Sequence, residues 1–139
     1  MNWQEFLTDV QTTTVATVRA DGRPHAAPVV FALDGDDIIF LTAATSVKGQ
    51  NLRLTERAAL TFDEQRPPFG FVIVEGPAAM TEDPDEVVKS GKAIADRYQI
   101  PEDVFLEHNA VPGQLIVRVT PKRIIQRLDG NPRKTVLDV

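Results

Sequence analysis

Two tight-turn signals constrain this chain more than any other feature. Asp21-Gly22 separates a Thr- and Val-rich run, Thr12 to Ala20, from an alternating run that extends from Arg23 to Leu33. Asp34-Gly35-Asp36 separates that run in turn from Asp37 to Thr42. An Asp-Gly pair accepts the positive φ angles that short hairpins need, so the flanking runs are expected to be antiparallel neighbours. In the middle run His25, Ala27, Val29, Phe31 and Leu33 share one face, the period-2 pattern of a half-buried strand. Pro28 interrupts it; without an N–H it marks an edge, a bulge or a point where the ladder opens. Ile38, Ile39, Phe40 and Leu41 are apolar on both faces and predict a strand covered on both sides.

Trp3, Phe6, Leu7 and Val10 recur at helical spacing, which predicts a short helix over 2–10. Ser46 is placed to cap a second short helix through Asn51-Leu52. Strands are expected over 58–62 and 70–79, joined by a loop carrying Pro67-Pro68. Asp83 is an N-cap, Pro84 suits the first helical position and Glu86 completes a capping box. The helix that follows is expected to bury Val87, Val88, Gly91, Ile94, Ala95 and Tyr98. Pro101-Glu102-Asp103 opens a further short helix, with His108 in a loop, and 114–120 and 123–128 are the last strands. The chain therefore reads as mainly β (α+β), one domain over 1–139. It has six to seven antiparallel strands and a few short helices. The apolar positions exceed what one open sheet face can hide, so a closed or nearly closed small barrel is the economical architecture. A β-sandwich is the alternative, and it accommodates the inserted helix less well.

Composition narrows the chemistry. The chain has no Cys and only two His, His25 and His108, which excludes disulfides, thiolates, Cys-ligated zinc, iron–sulfur clusters and a His-rich metal site. No metal is expected, and no residue stands out as catalytic. The acid cluster Glu82, Asp83, Asp85 and Glu86 is explained by helix-start electrostatics. A net charge of −5 argues against nucleic acid as a partner. No apolar run approaches the ~18 residues of a membrane span, and the first residues lack the basic and apolar regions of a secretory signal. A cytoplasmic protein without a membrane partner is expected. If such a chain is an enzyme, it takes its chemistry from a bound cofactor.

The segment from Thr42 to Arg53 is where a cofactor fits. It leaves a doubly covered strand and enters a helix N-terminus, where free N–H groups and a partial positive charge suit a phosphate. Ser46, Lys48 and Gly49 add a hydroxyl, a cation and open backbone. An ordinary strand-to-helix turn with a surface lysine explains the same residues, and spacing alone does not choose between the two. Arg118, Lys122, Arg123, Arg127, Arg133 and Lys134 make the C-terminal part basic, as solvated strand edges or as an attraction for an anionic cofactor tail.

The stretch Ala16-Thr-Val-Arg-Ala-Asp-Gly-Arg-Pro-His-Ala-Ala-Pro-Val resembles the first hairpin of the pyridoxamine 5′-phosphate oxidase-like split β-barrel proteins, which include FMN-binding members. Ile38-Ile-Phe-Leu-Thr, Ser46-Val-Lys-Gly-Gln-Asn-Leu and Val74-Glu-Gly-Pro-Ala are similar to later segments of the same family, so the likeness covers about residues 5–128. Within the family the chain looks most like the deazaflavin-dependent oxidoreductases that use coenzyme F420. The resemblance implies a homodimer with two cofactor sites at the subunit interface. By the same resemblance Pro28, Val29 and Val30 line the flat ring system. Thr42, Ser46, Lys48 and Asn51 belong to the phosphate-binding segment, and Phe69 or Phe71 of the partner subunit covers the ring.

Departures from the family pattern sharpen the cofactor expectation. FMN-using members carry Arg, Lys and Arg where Ala27, Ala32 and Val47 stand here. Each lost cation removes a charge-assisted contact to an FMN phosphate, which favours F420, with FMN as the alternative. The expected activity is hydride transfer between F420 and a small conjugated substrate such as an enone, quinone or tetrapyrrole. The rival readings are an FMN-dependent oxidase or reductase and a non-catalytic carrier or sensor of flavin, F420 or haem.

Overall fold

A computed structural model describes residues 1–139. The chain runs α1 (Trp3–Thr8), β1 (Thr13–Val18), β2 (Pro24–Val29), β3 (Ala32–Asp34), β4 (Asp37–Ala43), α2 (Val47–Thr55), β5 (Arg57–Asp63) and β6 (Phe71–Thr81). It continues through α3 (Pro84–Arg97), α4 (Glu102–Asn109), β7 (Gln114–Val119), β8 (Arg123–Arg127) and β9 (Thr135–Asp138). The strands form one curled antiparallel sheet ordered β2-β1-β5-β6-β7-β4-β3, from which β8 and β9 branch beside β6. This is the mainly β split-barrel architecture that the sequence predicts.

Both turn signals close hairpins. The first sets Val18 opposite Pro24 and Thr13 opposite Val29, and the second sets Asp34 opposite Asp37. The strand expected over 23–33 is nonetheless two strands. β2 ends one side of the sheet path and β3 the other, with only Val30 and Phe31 between them. That short link joins the two ends of the curled sheet. Pro28 fits because the far edge of β2 has no neighbour that needs its N–H. The count of nine strands instead of six to seven follows from this split and from β9. All four β9 residues are exposed, so no apolar alternation announces it.

The main core fills the curl. Phe31, Phe40, Leu60, Phe62, Val74, Val117 and Ile124 have no exposed surface, and Phe31 meets Phe62 edge-on at 5.0 Å between centroids. Trp3, Phe6 and Leu7 of α1 close one end at the expected helical spacing. A second core lies outside the curl, where Ala32 and Ile39 pack against Ile94, Ala95 and Phe105 of α3 and α4. β4 is thus covered on both sides, as its sequence predicts. Each such side chain contributes roughly 1.5–3 kcal/mol of burial.

Three local expectations change. Asp83 caps α3 by accepting from Glu86 N at 3.3 Å, but Asp83 N donates to Thr81 Oγ1 at 3.1 Å, so the return half of the capping box is not made. Val88 is exposed and Ser90 is buried in its place on the inner face. His108 lies in α4 and is exposed, because the helix opened by Pro101 runs on to Asn109.

The C-terminus of α3 ties the closing link in place. Tyr98 Oη accepts from Phe31 N at 3.2 Å and donates to Gln11 O at 2.6 Å. Arg97 donates to Leu7 O and Val10 O at 2.8 and 2.6 Å and stacks on the Phe31 ring at 4.1 Å.

Candidate cofactor site

β4 runs out at Ala43, and α2 begins four residues later. Ser46 has the extended backbone of an N-cap, and its Oγ accepts from Gly49 N at 3.1 Å. Ser46 Oγ also donates to Ala43 O at 2.7 Å and lies 2.9 Å from Thr42 Oγ1. A serine hydroxyl has one hydrogen and two lone pairs. With its hydrogen on Ala43 O, the remaining contact makes Thr42 the donor to Ser46. The hydroxyls of Thr42 and Ser46 therefore spend their hydrogens on the chain and build the cradle. The groups left to meet an anion are the first-turn N–H groups without an intrahelical acceptor and the Lys48 ammonium.

Gly49 lets the helix start so close to β4. A Cβ there would stand 2.3 Å from Ala43 O. The first turn of α2 contains no acidic residue, so its positive end is not neutralised from within. Lys48 is half-buried and makes neither an ion pair nor a hydrogen bond within the chain. Burial holds its ammonium below the ordinary lysine value.

The other expected site residues are placed differently from one another. Asn51 is 5% exposed and does not face the cradle mouth; its Nδ2 donates to Thr17 Oγ1 of β1 at 3.0 Å. α2 packs against β1, β2 and β4; its Asn51 meets Thr17, which pairs with His25, whereas Pro28 and Val29 pair with Thr14 and Thr13 at the other end of β1. Pro28 and Val30 are exposed, whereas Val29 turns inward against the main core. The structure thus joins Thr42, Ser46 and Lys48 in one cradle and uses Asn51 beneath it. His25, opposite Thr17 in the β1–β2 ladder, has a buried Nδ1 without a partner.

Sequence reasoning missed the outward face of the sheet. Pro28, Thr14, Thr61, Ile73, Ile125 and Val136 stand in register across six strands. α1 packs Trp3, Phe6 and Leu7 into the core and α2 packs Leu52 there, so neither helix lays its buried face on this row. Its signal was that Phe71 and Ile73 of β6 and Ile125 of β8 are apolar at positions between the core-facing Val72, Val74 and Ile124. A groove of about 820 Å³ opens on the same face, floored by Ala16, Ala59 and Pro77 and rimmed by Arg57, Lys122 and Arg123. Arg57 and Lys122 make no ion pair, and Arg123 has only a 3.9 Å contact with Glu75. Phe69 is 52% exposed, and Phe71 lies under the Arg127 guanidinium at 5.2 Å.

A family model described as pyridoxamine 5′-phosphate oxidase matches residues 2–128. A pyridoxine/pyridoxamine 5′-phosphate oxidase from Pseudomonas entomophila (strain L48) is 40% identical over 60 residues, which are 42% of this chain. The match spans 28% of the length of that relative. Among solved structures, a conserved hypothetical protein from Mycobacterium tuberculosis is similar with a TM-score of 0.77 and 24% identity, over 99% of this chain and 85% of that one. A heme binding protein from Mycobacterium smegmatis is similar at 0.79 and 20% identity, over 96% and 55% of the two chains. A protein described as an F420 reductase is similar at 0.73 and 22% identity, over 89% and 96%. At these identities the structural likeness bears on the fold.

Proposed function

The chain belongs to the pyridoxamine 5′-phosphate oxidase family, and from that premise we propose that it is an oxidoreductase that uses coenzyme F420. The reaction is hydride transfer to or from a small conjugated organic substrate, such as an enone, quinone or tetrapyrrole. The observation that carries this reading is Lys48: a half-buried ammonium with no carboxylate partner, in the acid-free first turn of a capped helix. An anion placed there regains for the lysine the charge stabilisation that burial removes. The donor set fits a phosphate group. The neutral residues Ala27, Ala32 and Val47, at positions where the FMN-using relatives implied by the resemblance carry cations, favour F420 over FMN. The unpaired cations Arg57 and Lys122 suit the acidic tail of that cofactor.

The deazaflavin supplies the hydride chemistry when bound, and the chain's residues hold and shield it. Lys48 and the first-turn N–H groups of α2 bind the phosphate. Thr42 and Ser46 keep that turn on the end of β4. The exposed Pro28 and Val30 offer apolar surface to a flat ring, and excluding water there strengthens the polar contacts at its edge. The uncovered row through Ile73 and Ile125 supports a homodimer with the two cofactor sites at the interface, and Phe69 is the exposed aromatic available to the partner's site.

Titration with F420 followed by the absorbance of the deazaflavin, and oxidation of reduced F420 with candidate acceptors, test this reading. Saturable binding in the micromolar range with turnover supports it. FMN binding without F420 binding favours the runner-up, an FMN-dependent enzyme, for which the local 40% identity to a pyridoxine/pyridoxamine 5′-phosphate oxidase speaks. F420 binding without turnover on any acceptor identifies a carrier or sensor.

A further inference from the structure

We infer that the Asn51–Thr17 hydrogen bond sets the position of Lys48, so that Asn51 is a positioning residue for the anionic end of the cofactor and not a ligand of it. The inference rests on the cofactor reading above and deepens it.

Asn51 and Thr17 are 5% and 4% exposed, and theirs is the one hydrogen bond in the chain between two buried side chains. It joins α2 to β1. The Thr42–Ser46 contact joins the start of the same helix to β4. β1 and β4 are not neighbours, for β5, β6 and β7 stand between them in the sheet. The helix therefore bridges two separate parts of the curl and needs a contact to each.

Apolar packing alone fixes this helix poorly. Leu52 is the one buried large apolar side chain it supplies. A single such contact leaves the helix free to roll about its axis. A buried polar pair with one satisfied geometry removes that freedom, which is the best-attested use of buried polar groups. Lys48, Asn51 and Leu52 are spaced i, i+3, i+4 and lie on one side of the helix. A roll that breaks the Asn51 bond carries Lys48 with it. At the ~5 Å radius of helix side chains, a roll of ~30° shifts the side-chain root by about 3 Å. That exceeds the tolerance of a charge-assisted hydrogen bond.

The test uses the full chain and F420 as the probe, with FMN in its place if F420 does not bind. Thr17→Val/Asn51→Leu removes both partners at once, which leaves no stranded polar group. The expected result is a cooperative thermal transition together with roughly a tenfold loss of cofactor affinity and a shallower salt dependence. Thr17→Ser with Asn51 intact, which keeps the hydroxyl that Asn51 meets, is expected to retain the wild-type affinity. In a Lys48→Ala background the pair of replacements is expected to cost nothing more, because the residue they position is gone. Should the double variant not fold, Thr17→Ala cuts the bond without adding volume and carries the same cycle. Unchanged affinity in the folded variant, or a loss that adds fully to that of Lys48→Ala, overturns the inference alone. If the wild-type chain binds neither F420 nor FMN, the cofactor reading falls and this inference falls with it.

Discussion

Lys48 carries the sharpest residue-scale consequences. Lys48→Ala is expected to weaken F420 binding by about 1–3 kcal/mol, read by titration. The same change removes a half-buried unpaired cation, so the ligand-free protein is expected to melt no lower than wild type. The pH dependence follows from the lowered pKa. Below it, folded and unfolded chains both hold the proton and the fold carries the cost of the buried charge. Between it and the ordinary 10.5, the unfolded chain binds more protons, so stability rises with pH in that window. Anion affinity runs the other way and falls as pH rises through the lowered pKa, a midpoint that a titration series across alkaline pH locates and that Lys48→Ala abolishes. The cap at Ser46 and the cation at Lys48 were legible, because both follow from local spacing. The inward turn of Asn51 was not, since its partner lies 34 residues away.

At the scale of elements, β6 shows how the curl is built. It pairs with β8 through Phe71–Glu75 and with β7 through Ala78–Thr81, and it turns between them at Gly76. A Cβ at Gly76 would stand 1.9 Å from Thr120 O, so the two backbones meet where only glycine fits. Gly76→Ala is expected to lower unfolding stability by more than about 2 kcal/mol in urea titration. The hairpins were readable because turn chemistry is local. The break after Val29 was not: His25, Ala27, Val29 and Phe31 keep their alternation straight through it, and the cause is the closing of the curl, a tertiary event.

For the whole molecule, the uncovered row is the feature that composition hid. Ile73 and Ile125 face each other across β6 and β8, with Val136 beyond. The half-buried Ile73 and Ile125 and the exposed Val136 form one contiguous apolar patch across three strands, flanked by Thr61 and Thr14, and a contiguous patch marks an interaction face more than isolated surface hydrophobics do. The protein is expected to sediment as a dimer at micromolar concentration. Ile125→Arg is expected to give a folded monomer with reduced F420 affinity, as an interface site requires. A wild-type monomer by sedimentation would remove the dimer from the proposal.

The two-residue link between β2 and β3 makes the molecule a ring with one latch. Val30 and Phe31 join the opposite ends of the sheet, and the Phe31 N–H is held by Tyr98. Opening the ring must release that amide, and the latch adjoins the surface proposed to hold the ring of the cofactor. Occupancy and closure are then one equilibrium seen from two sides. The Phe31 amide should exchange its hydrogen more slowly as F420 is added, in step with saturation. An exchange rate indifferent to the ligand would show that the latch and the site open independently.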